Sequence, residues 1–474
     1  MREQLIGIFG AERVVTEPER LREYRDDYSE VPGQDPAAVV FPLRAEEIAA
    51  LVRLAAAIGA SVTPRVANTN VAGIAIAAPG GIVADLSRMN RIVEVDADEM
   101  VAVIEPGVSQ VQLKQYLLDH ELPLTLGYSL GPPHVSVLAN CVLDGLTNRS
   151  LKYGSMAQWV NGLEVVLGDG TLLRTGSWSI RGLKPFARAP MPDLTGLFTG
   201  FQGTTGIVTQ LALQLWPRHP IEKRLFVLGY DAEGVFAAMQ RLCRLEICED
   251  IGGLGWPAAK MMLGVKHPAP RPDPDEPTFF LYVDLAAELD EEVRLKERLL
   301  GSVLDAERAR GKRFEDPIDV HTLLTLNPAM GAFAEFPTDL EFLTNHGGGG
   351  LTWMGTYGPL SRFAPTADAC SAIMVEHGFP PTIVSRAMRG GHFGVLRFVL
   401  TFDKGAPEEV ERVRQVMRLL LAAVTDAGFG MYKTPGWALE WLRDRIDPRA
   451  LELIRSLKRL TDPHGVLNPG KWAI

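Results

Sequence analysis

Residues 385–397 contain one histidine and three arginines, namely His392 with Arg386, Arg389 and Arg397. Histidine titrates near neutral pH (about 6.5 when unperturbed), so His392 suits the removal of an alcohol proton. Arginine can hold a carboxylate through two parallel N–H bonds, which suits Arg386 and Arg397. The segment therefore predicts His392 as a catalytic residue and these two arginines as substrate-binding residues.

A second candidate is the loop over residues 64–73, with the sequence PRVANTNVAG. Small polar residues in a loop can turn successive backbone amides toward one anion, such as a pyrophosphate. An ordinary strand–helix connection has the same composition. The loop alone therefore leaves both interpretations open.

The elements around this loop predict an α/β unit, because strand and helix alternate there. In this N-terminal part we predict strands over residues 38–42, 61–64, 81–86, 92–95, 101–104, 163–167, 172–174 and 207–216, and helices over 1–35, 44–58 and from 109 to before 127. Residues 219–425 differ in composition. Their predicted strands (224–228, 279–285, 351–356 and 392–402) and charged helices indicate an α+β layer, a sheet backed by helices.

Composition excludes several classes of function. The 474-residue chain has a net charge of −10 and no Lys or Arg run, which argues against nucleic acid as a partner. The spacing of its four cysteines is not that of a zinc or iron–sulfur site, so we expect no metal. No apolar stretch approaches the ~20 residues of a membrane span. We expect a cytoplasmic protein.

Five segments follow one family pattern in order. Residues 64–73 occupy the place of R-G-G-G-T-[NS]-x-x-G, and residues 83–92 (VADLSRMNRI) match D-L-S-x-[ML]-x-x-I. Residues 105–108 (EPGV) match a turn beside the adenosine, while 163–170 and 203–209 match L-x-V-V-x-x-D-G and G-x-x-G-I-[VI]-T. Over about residues 1–218 the chain resembles the FAD-binding domain of the vanillyl-alcohol oxidase/p-cresol methylhydroxylase superfamily.

The resemblance implies an α+β, two-domain FAD-binding fold. Residues 1–218 would form the FAD-binding domain, 219–425 a substrate cap, and 426–474 a return to the FAD domain, ending in a family-like DPHGVLNPGK. A homodimer is also implied. The implied cofactor-binding residues are Arg65, Val66, Ala67, Asn68, Thr69, Asn70, Val71, Gly73, Pro106, Gly107, Ser136, Asn140, Tyr153, Gly154, Gly203, Gly206, Ile207, Val208, Asn468 and Lys471.

Two departures from the pattern concern the FAD domain. Val66 and Ala67 stand where the family has glycines, and we expect their side chains to restrict φ to negative values. Ser155 stands where the 4-alkylphenol-oxidising branch has an aspartate that acts near the flavin. Since a hydroxyl is no carboxylate base at neutral pH, the usual quinone-methide mechanism is not expected.

The C-terminal part resembles the same branch. Residues 428–434 (GFGMYKT) look like its G-[YW]-G-x-Y-R-T, in which the tyrosine and arginine hold a phenolate oxygen. The resemblance makes Tyr432 and Lys433 catalytic residues. The cap segment 349–354 has no His or Tyr where some relatives tether the flavin, although His346 and Tyr357 flank it. We therefore predict non-covalent FAD.

These features favour an enzyme that moves a hydride from a carbon next to oxygen to the flavin. The favoured substrate is a small phenol-like alcohol, with reoxidation by O2, a cytochrome or another carrier. One alternative is a 2-hydroxy acid, as in lactate and glycolate dehydrogenases, although the metal-binding H-x-G-D-G-N-x-H of those relatives is incomplete at residues 392–397 (HFGVLR). Another is a flavin-carrying electron-transfer subunit without its own substrate.

Overall fold

The computed structural model describes residues 1–326, residues 328, 331, 334, 337, 343 and 346, and residues 348–472. Its first sheet has four strands in the order β1-β2-β4-β3, with β2, β4 and β3 parallel. These strands and the neighbouring helices are β1 (Val14–Val15), β2 (Ala38–Val40), β3 (Val62–Arg65), β4 (Ile82–Asp85), α1 (Arg2–Phe9), α2 (Pro18–Leu21) and α3 (Ala45–Ile58).

Helix α3 confirms the predicted strand–helix–strand unit. Its apolar residues Ile48, Leu51, Val52 and Ala55 recur at helical spacing and are fully buried. The helix ends at Gly59, whose φ of 68° is left-handed. The predicted continuous helix over residues 1–35 is wrong. The first helix ends at Gly10, which has a φ of 79°, and a two-stranded pairing follows.

The second sheet is antiparallel, in the order β5-β6-β10-β8-β9. Its strands are β5 (Ile92–Asp96), β6 (Val101–Ile104), β8 (Val160–Val166), β9 (Leu172–Arg174) and β10 (Ile207–Gln214). Nearby lie the helices α4 (Gln110–Asp119), α5 (Val137–Val142) and α6 (Ser150–Tyr153), and the pair formed by β7 (Leu124–Thr125) and β11 (Trp216–Pro217). The predicted hairpin of β8 and β9 is confirmed.

The cap sheet has eight antiparallel strands, in the order β15-β12-β14-β13-β17-β18-β16-β19. They are β12 (Ile221–Gly229), β13 (Asp250–Gly255), β14 (Phe279–Ala287), β15 (Ile318–Asp319), β16 (Gly349–Gly358), β17 (Thr382–Met388), β18 (Phe393–Asp403) and β19 (Gly430–Met431). The helices that follow α6 are α7 (Ala232–Arg244), α8 (Trp256–Met262), α9 (Asp290–Ala309), α10 (Val320–Leu326), α11 (Phe363–Glu376), α12 (Pro407–Asp426), α13 (Gly436–Leu442) and α14 (Pro448–Thr461).

Strand alternation gives the cap sheet two different faces. Along β14, Leu281 and Val283 join a core that includes residues of α7, α9, α11 and α12. Phe280 and Tyr282 point to the opposite side, into a smaller hydrophobic cluster that includes residues of the N-terminal part of the chain. The predicted sheet backed by helices is therefore confirmed, and the face without these helices is available for a ligand.

Two sets of contacts join the parts of the chain. Arg149, buried beside α6, forms ion pairs with Glu249 (3.0 Å) and Glu222 (2.5 Å) of the cap. The C-terminal segment returns to the first sheet, where the amide of Asn468 donates to the carbonyl of Val62 at 2.9 Å. No helix among the described residues is both long and apolar enough to cross a membrane.

Candidate active site

A cleft, which we call the dinucleotide cleft, lies between the first two sheets. It holds about 990 Å³, including space open to solvent. The turns after β3 and β6, helix α5 and the turn before β10 form its walls. The residues that line it are Pro64, Arg65, Val66, Thr69, Asn70, Ile74, Ala75, Leu86, Pro106, Val135, Ser136, Leu138, Ala139, Asn140, Val142, Leu143, Phe198, Gln202, Gly203, Gly206, Ile207, Val208, Lys433 and Asn468.

The loop after β3 has an unusual backbone. Ala67 and Asn68 are both left-handed, with φ of 58° and 50°. The expectation that a side chain at Ala67 keeps φ negative is wrong. A left-handed alanine carries strain of roughly 1–2 kcal/mol, which the surrounding structure must offset. Both residues therefore hold a conformation that glycine would adopt freely.

Contacts from distant segments hold this loop. The amide of Gly73 donates to Asp27 Oδ2 at 2.7 Å, and Lys471 Nζ donates to the carbonyl of Gly73 at 2.7 Å. Arg65 is buried and donates to the carbonyl of Tyr24 at 2.8 Å. The loop is therefore fixed from both ends of the chain.

The free polar atoms of the loop fit a diphosphate. Four backbone amides of the loop have no hydrogen-bond acceptor among the described residues. They are the amides of Ala67, Thr69, Asn70 and Val71. Asn68 Oδ1 is likewise buried without a partner there. Amides that converge without a protein acceptor form an anion-binding nest. A bound anion would accept hydrogen bonds from these four amides, whereas the Asn68 side-chain oxygen is itself an acceptor and requires a donor.

The turn before β10 approaches the loop closely. Gly203 has a φ of 76°, and a Cβ added there would lie 3.0 Å from Pro64 Cγ. A side chain at Gly206 would clash with Val165 and Phe198. Both glycines are therefore required by space or backbone conformation, and they leave the cleft open for a flat, elongated ligand.

A second cavity, which we call the substrate cavity, lies under the cap sheet. It holds about 1230 Å³, including space open to solvent, and shares Thr69, Val135, Asn140 and Lys433 with the dinucleotide cleft. The two spaces therefore meet. The residues that line the substrate cavity are Tyr28, Thr69, Val71, Ser129, Leu130, Gly131, Pro132, His134, Val135, Asn140, Leu146, Arg224, Leu254, Tyr282, Leu351, Trp353, Val384, Arg386, Arg397 and Lys433.

Four cationic side chains line this cavity, and two of them are neutralised. Arg224 donates two hydrogen bonds to Asp284, from Nε to Oδ1 at 2.6 Å and from Nη2 to Oδ2 at 2.5 Å. Arg386 pairs with Asp250 at 3.0 Å and donates to the Tyr282 hydroxyl at 2.8 Å. Burial raises the pKa of Asp250 to about 7, although the charge of Arg386 opposes the shift.

The other two cations, Arg397 and Lys433, have no carboxylate within ion-pair distance in the described part of the chain. Arg397 is only 8% exposed and stacks on Trp353, with 4.5 Å from Cζ to the ring centre. Its Nε is buried without a hydrogen-bond partner. Burial, aided by the charge of Arg397, lowers the pKa of Lys433 to about 8. Their unmatched charge favours an anionic ligand.

Tyr432 lies behind Arg397. The guanidinium of Arg397 donates to the Tyr432 hydroxyl. The Tyr432 ring stacks on Tyr357, with 4.6 Å between ring centres. Tyr432 is buried and does not belong to the lining of either cavity. It therefore orients Arg397 in this structure rather than facing the cavity itself.

Comparison with known proteins identifies the domains. Residues 36–176 match the FAD binding domain family, and residues 257–472 match the C-terminal domain of FAD linked oxidases. The chain therefore contains both domains of FAD-linked oxidases, and it is an FAD-dependent oxidoreductase.

Two relatives match most of this chain and most of their own length at low sequence identity. The chain is 26% identical over 489 residues to glycolate oxidase subunit GlcD of Bacillus subtilis, covering 99% of this chain and 96% of the relative. It is 25% identical over 464 residues to a probable mitochondrial D-lactate dehydrogenase of Danio rerio, covering 92% and 84%. The crystal structure of p-cresol methylhydroxylase with substrate bound superposes with a TM-score of 0.88 at 21% identity, covering 100% and 96%. This likeness confirms the predicted two-domain FAD-binding fold.

The predicted FAD-binding residues of this FAD-linked oxidoreductase divide into three groups. Those that line the dinucleotide cleft are Arg65, Val66, Thr69, Asn70, Pro106, Ser136, Asn140, Gly203, Gly206, Ile207, Val208 and Asn468. Val71 lines the substrate cavity instead. Outside both linings lie Ala67, Asn68, Gly73, Gly107, Tyr153, Gly154 and Lys471. Tyr153 stacks on Trp216, with 3.5 Å between ring centres, so its ring fills a core.

Two predicted substrate residues face the cavity, and the predicted base does not. Arg386 and Arg397 both line the substrate cavity. His392 is exposed on the turn between β17 and β18, where its ring lies edge-on to the ring of Phe393. The expectation that His392 faces the substrate is therefore not met, because the turn carries it past the end of the strand.

Sequence reasoning missed the carboxylates around the site. Asp250 and Asp284 neutralise two cavity arginines, and Asp144 accepts a hydrogen bond from the Ser155 hydroxyl at 2.5 Å. Asp284 interrupts the apolar run FFLYVDLAA of β14, a signal that a charge is buried in a strand. Among the described residues no group of His, Cys, Asp or Glu could hold a metal ion.

Proposed function

We propose that this enzyme oxidises a small phenol-like alcohol by removing a hydride from a carbon next to oxygen. The observation that carries the proposal is Arg397, a buried guanidinium on the cavity wall with no carboxylate partner among the described residues. A phenolic oxygen is an anion or strong acceptor that could complete its bonding. Tyr432 behind it keeps the guanidinium in place.

The cavity walls suit an aromatic ring. Trp353, Leu254 and Val384 lie among the lining residues, so an apolar ring would displace water from their surfaces. Lys433 supplies a second cation at the junction with the dinucleotide cleft. Bound FAD supplies the hydride acceptor, and that chemistry belongs to the cofactor. The protein's own residues bind the oxygen, orient the ring and exclude water.

A 2-hydroxy acid is the second candidate. A carboxylate could bridge Arg397 and Lys433 as well as a phenolate could, and the relatives include proteins named glycolate oxidase subunit and D-lactate dehydrogenase. Against this candidate, the HFGVLR segment lacks most of the metal-binding motif of the hydroxy-acid branch. The apolar walls also exceed what a two- or three-carbon acid can cover.

Anaerobic mixing separates the two candidates. The purified holoenzyme is mixed with a series of phenolic alcohols, and in parallel with glycolate, lactate and 2-hydroxyglutarate. We expect the flavin absorbance to bleach with one of the phenols. Bleaching by hydroxy acids alone would replace this proposal with the second candidate, and bleaching by neither would leave an electron-transfer subunit.

We further propose that the FAD is non-covalent. No residue that lines the dinucleotide cleft is a His, Tyr or Cys. Side chains of these types that line the substrate cavity are Tyr28, His134 and Tyr282. Acid precipitation should release all the flavin into the supernatant. Flavin that stays with the pellet would contradict the proposal, and peptide mass spectrometry would then locate the tether.

We also propose a homodimer that acts in the cytoplasm. All four cysteines are buried free thiols, as in proteins of a reducing compartment. The dimer rests on the family resemblance. Light scattering of the holoenzyme should give twice the 51.9 kDa chain mass, and a monomer mass would refute this part.

A further inference from the structure

Lys433 occupies the place where the two cavities meet. It lines both of them, and its backbone is left-handed, with a φ of 51°. The next residue is held from the FAD domain, because Gln202 Nε2 donates to the carbonyl of Thr434 at 2.8 Å. A strained, non-glycine conformation persists only where the surroundings enforce it. The fold therefore places this one amine at the junction.

Asp144 is held close to the same place by side chains from two domains. Its Oδ1 accepts from the Ser155 hydroxyl at 2.5 Å, and its carbonyl accepts from the Tyr357 hydroxyl at 2.6 Å. Tyr357 stacks on Tyr432, the residue before Lys433. Asp144 is itself left-handed, with a φ of 52°. Its carboxylate is thus held by Ser155, and its negative charge raises the pKa of the Lys433 amine.

The charges around both groups define how they titrate. Burial and the charge of Arg397 lower the pKa of Lys433 to about 8, while the charge of Asp144 opposes this shift. Burial raises the pKa of Asp144, opposed by the Ser155 hydroxyl, Lys433, Arg188 and Tyr357. Lys433 therefore exchanges a proton near neutral pH, which an arginine in its place could not do.

These contacts connect two departures from the family pattern. The 4-alkylphenol branch has an arginine at the position of Lys433 and an aspartate at that of Ser155. In this chain the cation can lose a proton, and the serine instead binds the carboxylate of Asp144.

We infer that Lys433 is the acid–base residue of this enzyme and that Asp144, fixed by Ser155, is the residue that positions it and sets its charge. The inference rests on the proposed function. In the step, the O–H bond of the substrate breaks and an N–H bond forms on the neutral Lys433 amine. The products are a substrate oxyanion and an ammonium ion, with Arg397 beside the oxyanion.

The first test measures benzoate binding to the holoenzyme by calorimetry between pH 6 and pH 10, because this carboxylate stays ionised throughout. For the wild type we expect affinity to fall as the pH rises through about 8, since Lys433 is a cation only below its pKa. In Lys433→Arg the cation never loses its proton, so benzoate should bind with no such fall. Absence of the fall in the wild type, or its persistence in Lys433→Arg, would overturn the inference.

The second test changes the positioning residue. Asp144→Asn removes the charge that raises the pKa of Lys433, so the fall in benzoate affinity should move to lower pH, by about one unit. Ser155→Ala should move it in the same direction by less, because the carboxylate remains but is less well held. Asp98→Asn, on an exposed turn, is the matched control and should leave the curve unchanged.

Failure of this inference is distinct from failure of the proposed function. If no phenol bleaches the flavin but the benzoate curves behave as expected, the proposed function is wrong, whereas the titration of Lys433 and its dependence on Asp144 stand. If phenols bleach the flavin but the Asp144→Asn curve coincides with that of the wild type, the positioning role is refuted and the proposed function stands.

Discussion

Two pairs of cations line the same cavity, and only one pair is neutralised. Arg224, Asp284, Asp250 and Arg386 lie on four adjacent strands, β12, β14, β13 and β17, and form a charge-balanced row. On the next strand, β18, Arg397 is paired with Val384 of β17 and Gly355 of β16. Neither of these cross-strand neighbours carries a carboxylate. The comparison separates the two arginines that stabilise the cap from the two cations that are available to a ligand.

The largest expected effect is on stability, from Arg386→Met. At a pH well above 7, where Asp250 is ionised, removing its partner leaves a buried charge uncompensated, which typically costs 3–5 kcal/mol. Denaturant unfolding of the holoenzyme measures the loss. Arg389→Met, on the exposed turn a few residues away, is the control and should change stability little. An unchanged unfolding midpoint in Arg386→Met would contradict the distinction between the neutralised arginines and the unpaired cations.

Arg397→Met should act on binding instead. A hydrogen bond to a charged group contributes about 1.5–3 kcal/mol, so benzoate should bind roughly 10–100-fold more weakly. The unfolding midpoint should move far less than in Arg386→Met, because no carboxylate among the described residues forms an ion pair with Arg397. Calorimetry and unfolding on the same preparations check both statements. Unaltered benzoate affinity would remove Arg397 from the ligand site.

The pH dependence of stability sharpens the comparison at Asp250. Burial raises the pKa of Asp250 to about 7 in the folded protein, above the ~3.9 of an unfolded chain. The folded state binds this proton more tightly, so its contribution to stability is lost as the pH rises from about 4 to about 7. The wild type should therefore lose stability relative to Asp250→Asn across that range. A constant difference between the two proteins would contradict the shift.

The smallest expected effect is that of Tyr432→Phe. This change removes the hydroxyl that accepts a bond from Arg397, a neutral acceptor worth about 0.5–1.5 kcal/mol. Benzoate affinity and kcat/KM for the phenol that reduces the flavin should each fall by roughly 3–10-fold. Tyr116→Phe, on α4, is the control. Unchanged values in Tyr432→Phe would remove Tyr432 from the chemistry.

Motif order predicted the FAD-binding domain because its motifs are short turns. Gly203, Gly206 and the 64–73 loop each act through local backbone conformation, which nearby residues largely determine. Tyr153 shows the limit of this approach. Its motif position implied a flavin contact, but the neighbouring Trp216 draws the ring into a hydrophobic core.

In the cap sheet, two long strands escaped prediction, together with the two-residue strands β15 and β19. β13 has the sequence DIGGLG, whose glycines suggest a loop, and β17 (TIVSRAM) is too uniformly buried to show alternation. Both become strands because neighbours on each side complete their hydrogen bonds. They carry Asp250 and Arg386, so the charge pairing of the cavity was missed along with them.

Motifs of a few residues each were enough to predict the FAD cofactor and the two-domain FAD-binding fold. The unpaired cations of the substrate cavity, and the carboxylate whose charge acts on Lys433, are seen only in the folded chain. Charge compensation depends on strand register and on contacts such as that between Asp144 and Tyr357, which join segments more than two hundred residues apart. No local pattern encodes those distances.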